Sequence, residues 1–317
     1  MTIKLGETVS VRKTYGETLA ELGATRDDIV VVDADLSCST MTMIFGEKFP
    51  ERFFNVGIAE QDAICTAAGL ATCGKTAFVS TFAMFATGRA YDQIRNTVAY
   101  SNLNVKIVAT HAGITVGEDG ASHQALEDIG LMRAIPNMLI LVPSDSIETK
   151  EMIKFAADYK GPVYIRISRT NLANIHDPND YKFDYQKAEI AVEGSDLTII
   201  TNGETLIECI NAQKLLAQKG ISAEVINLRS IKPIDKDTII NSAQKTKKVV
   251  TVENHSVYNG IGSTICEVLS ENYPCKVKRI GINEVFGQSG EQRELMHYFR
   301  LTADELAEDI YSWLQEK

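Results

Sequence analysis

Two histidines, an aspartate, a glutamate and three glycines share one stretch, His111-Ala-Gly-Ile-Thr-Val-Gly-Glu118-Asp119-Gly-Ala-Ser-His123-Gln124. Imidazole holds or passes a proton near neutral pH. Glycine lets the backbone turn sharply and approach a ligand closely. The stretch follows a β-branched run at 105–110. Parallel α/β sheets gather ligands beyond their strand ends, and functional residues concentrate on such loops. By composition alone the stretch is equally a solvated polar turn. Other residues could add chemistry. Glu60 follows an apolar Gly-Ile-Ala turn, where burial would disfavour its charged form and suit it to donate a proton. A helix-start glutamate stabilised by the helix dipole is the plainer reading. Phe82 and Phe85 stand three apart at a strand-to-helix junction. They could flank a planar heterocycle or simply pack in a core. The planar, always-charged forks of Arg12 and Arg169 suit phosphate, and each alone could equally make a surface ion pair.

These residues need a scaffold to bring them together. Apolar β-rich runs at 29–33, 77–81, 105–110, 138–142 and 163–167 predict strands. Helical spacing at 59–71, 84–100 and 146–159 predicts the helices between them. Such alternation implies βαβ units and a mainly parallel sheet. From 170 to about 194 the rhythm lapses into an Asn- and Asp-rich stretch that reads as an extended linker. A second α/β rhythm follows, with strands at 197–201, 223–228, 249–252 and 276–282. Helices are predicted at 204–218, 238–244, 263–270 and 303–315. The expected domains are therefore 1–175 and 195–317, joined by a linker at 176–194.

Composition narrows the possible functions. The chain has 317 residues, with 32 Lys+Arg against 42 Asp+Glu and a net charge of −10. That balance argues against a generic nucleic-acid binder, which would carry a basic stripe. No apolar run reaches the ~18 residues of a membrane span, and the start lacks a signal peptide's apolar core. Six cysteines (38, 65, 73, 209, 266 and 275) form no C-x-x-C pair and read as reduced cytoplasmic thiols. No G-x-x-x-x-G-K-[ST] loop or H-E-x-x-H pair occurs, and His111 and His123 lack a third partner for a zinc set. Gly260-Ile-Gly262 hints at a dinucleotide turn, but Ile265 stands where the third glycine belongs. His255, after a later strand, reads as structural.

Taken together, several segments resemble the C-terminal half of transketolase. Asn55-Val-Gly-Ile-Ala-Glu60-Gln61 resembles the segment whose glutamate activates thiamine diphosphate, and Ser80-Thr-Phe82-Ala-Met-Phe85 resembles the aromatic wall under its pyrimidine ring. Gly117-Glu-Asp119-Gly-Ala-Ser-His123-Gln resembles the substrate loop, and Ser168-Arg169-Thr-Asn-Leu the phosphate-binding arginine segment. Val11-Arg12-Lys13 and Asp33-Ala-Asp35-Leu-Ser-Cys-Ser39 resemble the start of the pyrimidine-binding domain. The resemblance runs from about residue 8 to the end with order and spacing kept. It implies an α/β pyrimidine-binding domain followed by a smaller mixed-sheet domain. It implies that Glu60, Phe82, Phe85 and Asp35 serve the cofactor. Arg12, Ser39, His111, Asp119, His123 and Arg169 would hold a sugar phosphate, with His111 and His123 sharing proton transfers. Ala86-Thr-Gly88-Arg89 stands where the family often has a further aromatic.

One expected part is missing. The Gly-Asp-Gly signature of a diphosphate and Mg²⁺ site does not occur, and no metal ligand is assigned to this chain. The resemblance therefore implies a split enzyme, with a separate N-terminal subunit supplying that site in a self-associating α2β2 assembly. The expected activity is transfer of a two-carbon ketol unit from a ketose phosphate to an aldose phosphate, without nucleic acid or membrane partners. Alternatives are half of a 1-deoxyxylulose-5-phosphate synthase, the β-subunit of a 2-oxo acid dehydrogenase and a split transketolase for an unusual sugar. A non-catalytic regulatory subunit is the alternative from another class.

Overall fold

Short apolar runs without polar alternation become strands buried on both faces, as parallel sheets require. The computed structural model describes residues 6–316. Its strands are β1 (Thr8–Ser10), β2 (Ile29–Asp33), β3 (Phe53–Asn55), β4 (Thr76–Phe82), β5 (Val105–Thr110), β6 (Leu139–Leu141) and β7 (Val163–Arg166). Then come β8 (Asn171–Ala173), β9 (Glu189–Val192), β10 (Leu197–Thr201), β11 (Ala223–Asn227), β12 (Ser230–Lys232), β13 (Lys248–Ser256) and β14 (Lys276–Ile282). The larger sheet runs β12-β6-β7-β5-β4-β2-β3 and is parallel except for β12. The smaller runs β14-β13-β10-β11-β9 and is mixed, since β9 is antiparallel to β11.

Period-two geometry sends alternate residues of β2 to opposite cores. Ile29 and Val31 meet Tyr15 and Leu19 of helix Val11–Gly23 and Met152 of helix Ser146–Asp158. Val30 and Val32 face Ala63, Ile64 and Ala67 of helix Glu60–Thr72, in a core that runs on into the second domain through Ile200, Ile226 and Ile261. Side chains fix the helix starts. Ser10 accepts from the N–H of Lys13 at 3.3 Å, and Asp145 accepts from that of Glu148 at 2.8 Å. Such caps satisfy donors that have no partner inside the helix. Among the described residues no helix is long and apolar enough to cross a membrane.

The predicted helix at 84–100 is helical but wound mostly as π-turns, over Phe85–Arg89 and Gln93–Tyr100. Such turns are rare and collect at functional sites. The stretch read as a linker carries more structure than its composition suggests. Its start forms β8, antiparallel to β1, and its end forms β9 of the second sheet. Between them the His176 side chain is only 7% exposed. Its Nδ1 meets Asp145 at 2.8 Å and its Nε2 meets Glu189 at 3.0 Å. Asp145 belongs to the first domain and Glu189 to the second sheet, so His176 ties the two together. The second domain also returns β12 to the edge of the first sheet, opposite β6.

The dinucleotide-like turn is filled from inside. The N–H groups of Ile261 and Gly262 at the start of helix Ile261–Asn272 donate to the Glu253 carboxylate at 2.8 and 3.0 Å. A Cβ at Gly260 would lie 1.9 Å from Glu253 Oε2. The place such a turn would offer an anion is filled by the chain's own Glu253 side chain. His255 is buried nearby, with Nδ1 hydrogen-bonded to the Ser256 carbonyl at 2.7 Å.

Candidate active site

The larger sheet grows outward from β2 in both directions, to β3 on one side and β4 on the other. Ligands of such sheets bind beyond the carboxyl ends of the strands, at this change of direction. The candidate residues lie there. Asp35 and Ser39 follow β2, and Glu60 follows β3. Phe82 ends β4, His111 follows β5 and Arg169 follows β7. Buried Asp33 shapes the first of these turns, accepting from the N–H of Leu36 at 2.7 Å and from the hydroxyls of Thr40 and Thr42 at 2.8 Å each.

Register sets the centre. Phe82 pairs with Thr110 across β4 and β5, so His111 emerges beside the Phe82 ring. The two rings stack with centroids 3.8 Å apart. His111 adopts the left-handed region, with φ of 58°, which a bulky residue rarely occupies. Its Nδ1 lies 2.9 Å from the Thr110 hydroxyl. Burial, reinforced by Arg12, Arg169 and His123, pushes its pKa down to about 3, so the ring is neutral at physiological pH. Phe82 and Phe85 lie nearly parallel, 5.9 Å between centroids. A heterocycle inserted between them would need about 7 Å, two carbon contacts of about 3.5 Å each. The pair therefore forms one wall rather than a two-sided clamp. His123 stands edge-on to Phe85 at 5.2 Å and to Phe82 at 6.2 Å.

Glu60 begins helix Glu60–Thr72 and is only 3% exposed. Its Oε1 accepts from Arg89 Nη1 at 2.9 Å. The Arg89 guanidinium lies 4.2 Å from the centre of the Phe85 ring. The π-turn that carries both Phe85 and Arg89 thus joins the carboxyl to the aromatic wall. On the other side, Arg12 and Arg169 line a cleft with Thr170, Asn171 and Gln292. Arg12 donates to the Ser39 carbonyl at 2.6 Å. Burial and the nearby Arg169 both work against its charge, so an anion entering the cleft would relieve Arg12. Arg169 Nη1 donates to the Val116 carbonyl and pairs with Glu118 at 2.9 Å, bracing the 111–124 loop.

Family models match nearly the whole chain. The transketolase pyrimidine binding domain covers residues 7–174 and the transketolase C-terminal domain residues 186–306. The chain belongs to the transketolase family. A Methanocaldococcus jannaschii relative, provisionally named a transketolase C-terminal section, is 52% identical over 310 residues, covering 97% of each chain. A 6-deoxy-6-sulfo-D-fructose transketolase subunit of Clostridium sp. is 39% identical over 97% of this chain and 95% of its own. A subunit of the apulose-4-phosphate transketolase of Phocaeicola vulgatus is 36% identical over 97% of this chain and 98% of its own. A solved split-gene transketolase, described as an inactive β4 tetramer, superposes with a TM-score of 0.89 at 47% identity, covering 96% of this chain and 98% of that one.

The fold thus brings the motifs that resemble transketolase to one end of one sheet. His111, Phe82, Phe85 and His123 form a single aromatic cluster. Glu60 reaches it through Arg89, and Arg12 and Arg169 line the neighbouring cleft, with Arg12 held by the Ser39 carbonyl. Asp119 and Asp35 lie at the rim. Asp119 is exposed on its loop, and exposed Asp35 accepts from the Asn55 amide at 3.1 Å. Reading residues as motifs missed Arg89, Gln124, Asn254 and Glu204. Gln124 donates from Nε2 to the carbonyls of Ile114 and Gln288 at 2.9 and 3.0 Å, closing the loop's base. The absent third aromatic at 86–89 was the one local sign that Arg89 has a special position.

Proposed function

We propose that this chain is the C-terminal subunit of a split transketolase. In this reading it transfers a two-carbon ketol unit from a ketose phosphate to an aldose phosphate. The observation that carries the reading is the meeting of a buried carboxyl, an aromatic wall, two imidazoles and a two-arginine cleft at the carboxyl ends of one parallel sheet. Relatives named as transketolase subunits match 97% of the chain, which favours this over the synthase, oxo acid dehydrogenase and regulatory readings.

The residues present fit the pyrimidine half of thiamine diphosphate, because a buried carboxyl stands by a flat apolar wall. That cofactor, when bound, supplies the nucleophilic carbon that carries the two-carbon unit. Glu60, paired with Arg89 in this structure, would exchange that partner for the pyrimidine and donate a hydrogen bond to it once protonated, and Phe82 and Phe85 would support the ring. Asp35 would border the rim. The diphosphate and Mg²⁺ are assigned to the partner. Among the described residues one acid–histidine group, Glu148, His176 and Glu189, has metal-like spacing. Both nitrogens of His176 already meet carboxylates, Asp145 and Glu189.

Neutral His111 can accept a hydrogen bond from a substrate hydroxyl, and its lowered pKa makes it a weak base unless a bound substrate raises it. His123, edge-on to the same rings, would share the proton transfer. Asp119 would read a donor hydroxyl, and Arg12, Ser39 and Arg169 would receive the phosphate. Arg169→Ala is expected to raise KM for a phosphorylated donor about tenfold or more, the scale of a lost charge-assisted hydrogen bond, with kcat little changed. Steady-state kinetics with an unphosphorylated ketose checks this, and an equal rise there counts against a phosphate role.

The test of the reading is a coupled assay with xylulose 5-phosphate, ribose 5-phosphate, thiamine diphosphate and Mg²⁺. The chain is assayed alone and with the subunit that co-purifies from its native cell. Turnover only in the mixture is expected. Turnover by the chain alone would refute the split site. A second reading has specific support, since two relatives are named for 6-deoxy-6-sulfo-D-fructose and apulose 4-phosphate. Turnover of such a ketose, with none of xylulose 5-phosphate, would move the assignment to an unusual sugar.

A further inference from the structure

Glu204 lies in the second domain, just after β10, and is only 7% exposed. It occupies the cap position of helix Thr205–Gln218, yet its side chain does not cap that helix. Its carboxylate crosses the domain boundary instead and gathers donors from three separate segments. Thr115 Oγ1 donates at 2.9 and 3.0 Å to its two oxygens. Ser168 Oγ donates at 2.5 Å. The Asn254 side-chain amide donates to Oε1.

Each donor controls something at the site. Thr115 belongs to the 111–124 loop. Ser168 precedes Arg169, and its hydroxyl also accepts from the Thr170 N–H at 3.1 Å, which shapes the turn presenting that arginine. Asn254 accepts from the Ile114 N–H at 2.9 Å, and its carbonyl accepts from Arg166 at 2.9 Å. Gly113, with φ of 78°, passes so near Asn254 that a Cβ would lie 2.3 Å from the amide nitrogen. Arg169 completes the bracing from the front, through Val116 and Glu118.

We propose that Glu204 is a positioning residue that holds the 111–124 loop and the Arg169 turn at a fixed separation; the substrate side of this rests on the ketol-transfer reading. A buried carboxylate is costly unless its oxygens are hydrogen-bonded, and an apolar residue of similar size would serve packing as well. An ionised carboxylate is acceptor-only, which matches three donors converging on one point. Glutamine would turn an N–H₂ toward one of those donors and lose that contact. The second domain thereby enters the geometry of a site whose candidate catalytic and substrate-holding residues come from the first.

Glu204→Gln and the near-isosteric Thr115→Val test this in the full chain assembled with its partner. Amide hydrogen exchange at 113–120 and 168–170 is expected to quicken about tenfold, the scale of one hydrogen bond to a charged group, while β4, β5 and β7 keep their protection. KM for a phosphorylated ketose should rise by a similar factor with kcat nearly unchanged. Combined with Arg169→Ala, Glu204→Gln should add little, because both act on one contact. Unchanged loop exchange, a uniform rise through the strands, or full additivity with Arg169→Ala would overturn the proposal. If the wild-type assembly transfers no ketol unit, the functional reading fails, and the exchange measurement still decides the clamp.

Discussion

Glu60→Gln is expected to lower turnover of the assembled enzyme by roughly 10²–10⁴-fold, the span of acid–base contributions, while leaving assembly intact. Glutamine keeps the shape and the hydrogen-bonding reach of the side chain but cannot hold and release an acidic proton. The local structure should survive, because Glu60 lies at a helix start and its partner Arg89 is half exposed and also rests on Phe85. Arg89 therefore keeps a contact and access to water when the ion pair is lost. Steady-state rates on the reconstituted pair, with size-exclusion chromatography to score assembly, check both halves of the expectation. Undiminished turnover would remove Glu60 from the chemistry. Loss of assembly would instead make the residue an interface element.

The second large effect concerns stability. His176→Leu is expected to cost about 3–5 kcal/mol, as when one member of a buried charged group is removed and its partners are left uncompensated. The stranded partners would be Asp145, which also caps helix Ser146–Asp158, and Glu189, which begins β9. Burial opposes the charge on His176, but its hydrogen bonds to Asp145 and Glu189 outweigh that and push its pKa up to about 10. An unfolded histidine titrates near 6.5. Between those values the native chain holds a proton that the unfolded chain has released. The stabilisation is therefore complete below about pH 6.5 and is lost as pH rises toward 10. Urea unfolding at a series of pH values, wild type minus His176→Leu, should show that alkaline decline. His111 and His255 work in the opposite sense. Burial pushes their pKa values down to about 3 and about 4, so their contribution fades as pH falls below 6.5. A difference curve that stays flat from pH 7 to 10 would show that His176 is not charged in the folded chain.

Much of the scaffold could be read locally. Strands such as 29–33 and 105–110 are continuous β-branched runs because both of their faces are covered, and a one-dimensional pattern records that requirement. The 111–124 loop, Glu60 and the Phe82–Phe85 pair could also be read, since each is a short segment whose residue types suit one task. Only their joint order pointed to transketolase. The pairing of Arg89 with Glu60 bridges 29 positions, and that of Glu204 with Thr115 bridges 89. Neither follows from periodicity, because sheet order and register decide which strand ends become neighbours. The stretch at 170–194 keeps exposed polar residues such as Asp177, Asn179 and Asp180, as its composition suggests. Its composition does not signal that His176 meets Asp145 and Glu189 across the domain boundary. Residue types and local spacing alone determined the long buried strands, most of the longer helices and the inventory of reactive groups, but not the short strands β1, β3, β8, β9 and β12 or the helix Val11–Gly23. The tertiary structure decided which of those groups touch, because hydrogen bonds and ion pairs form between atoms brought close by packing, wherever they stand along the chain.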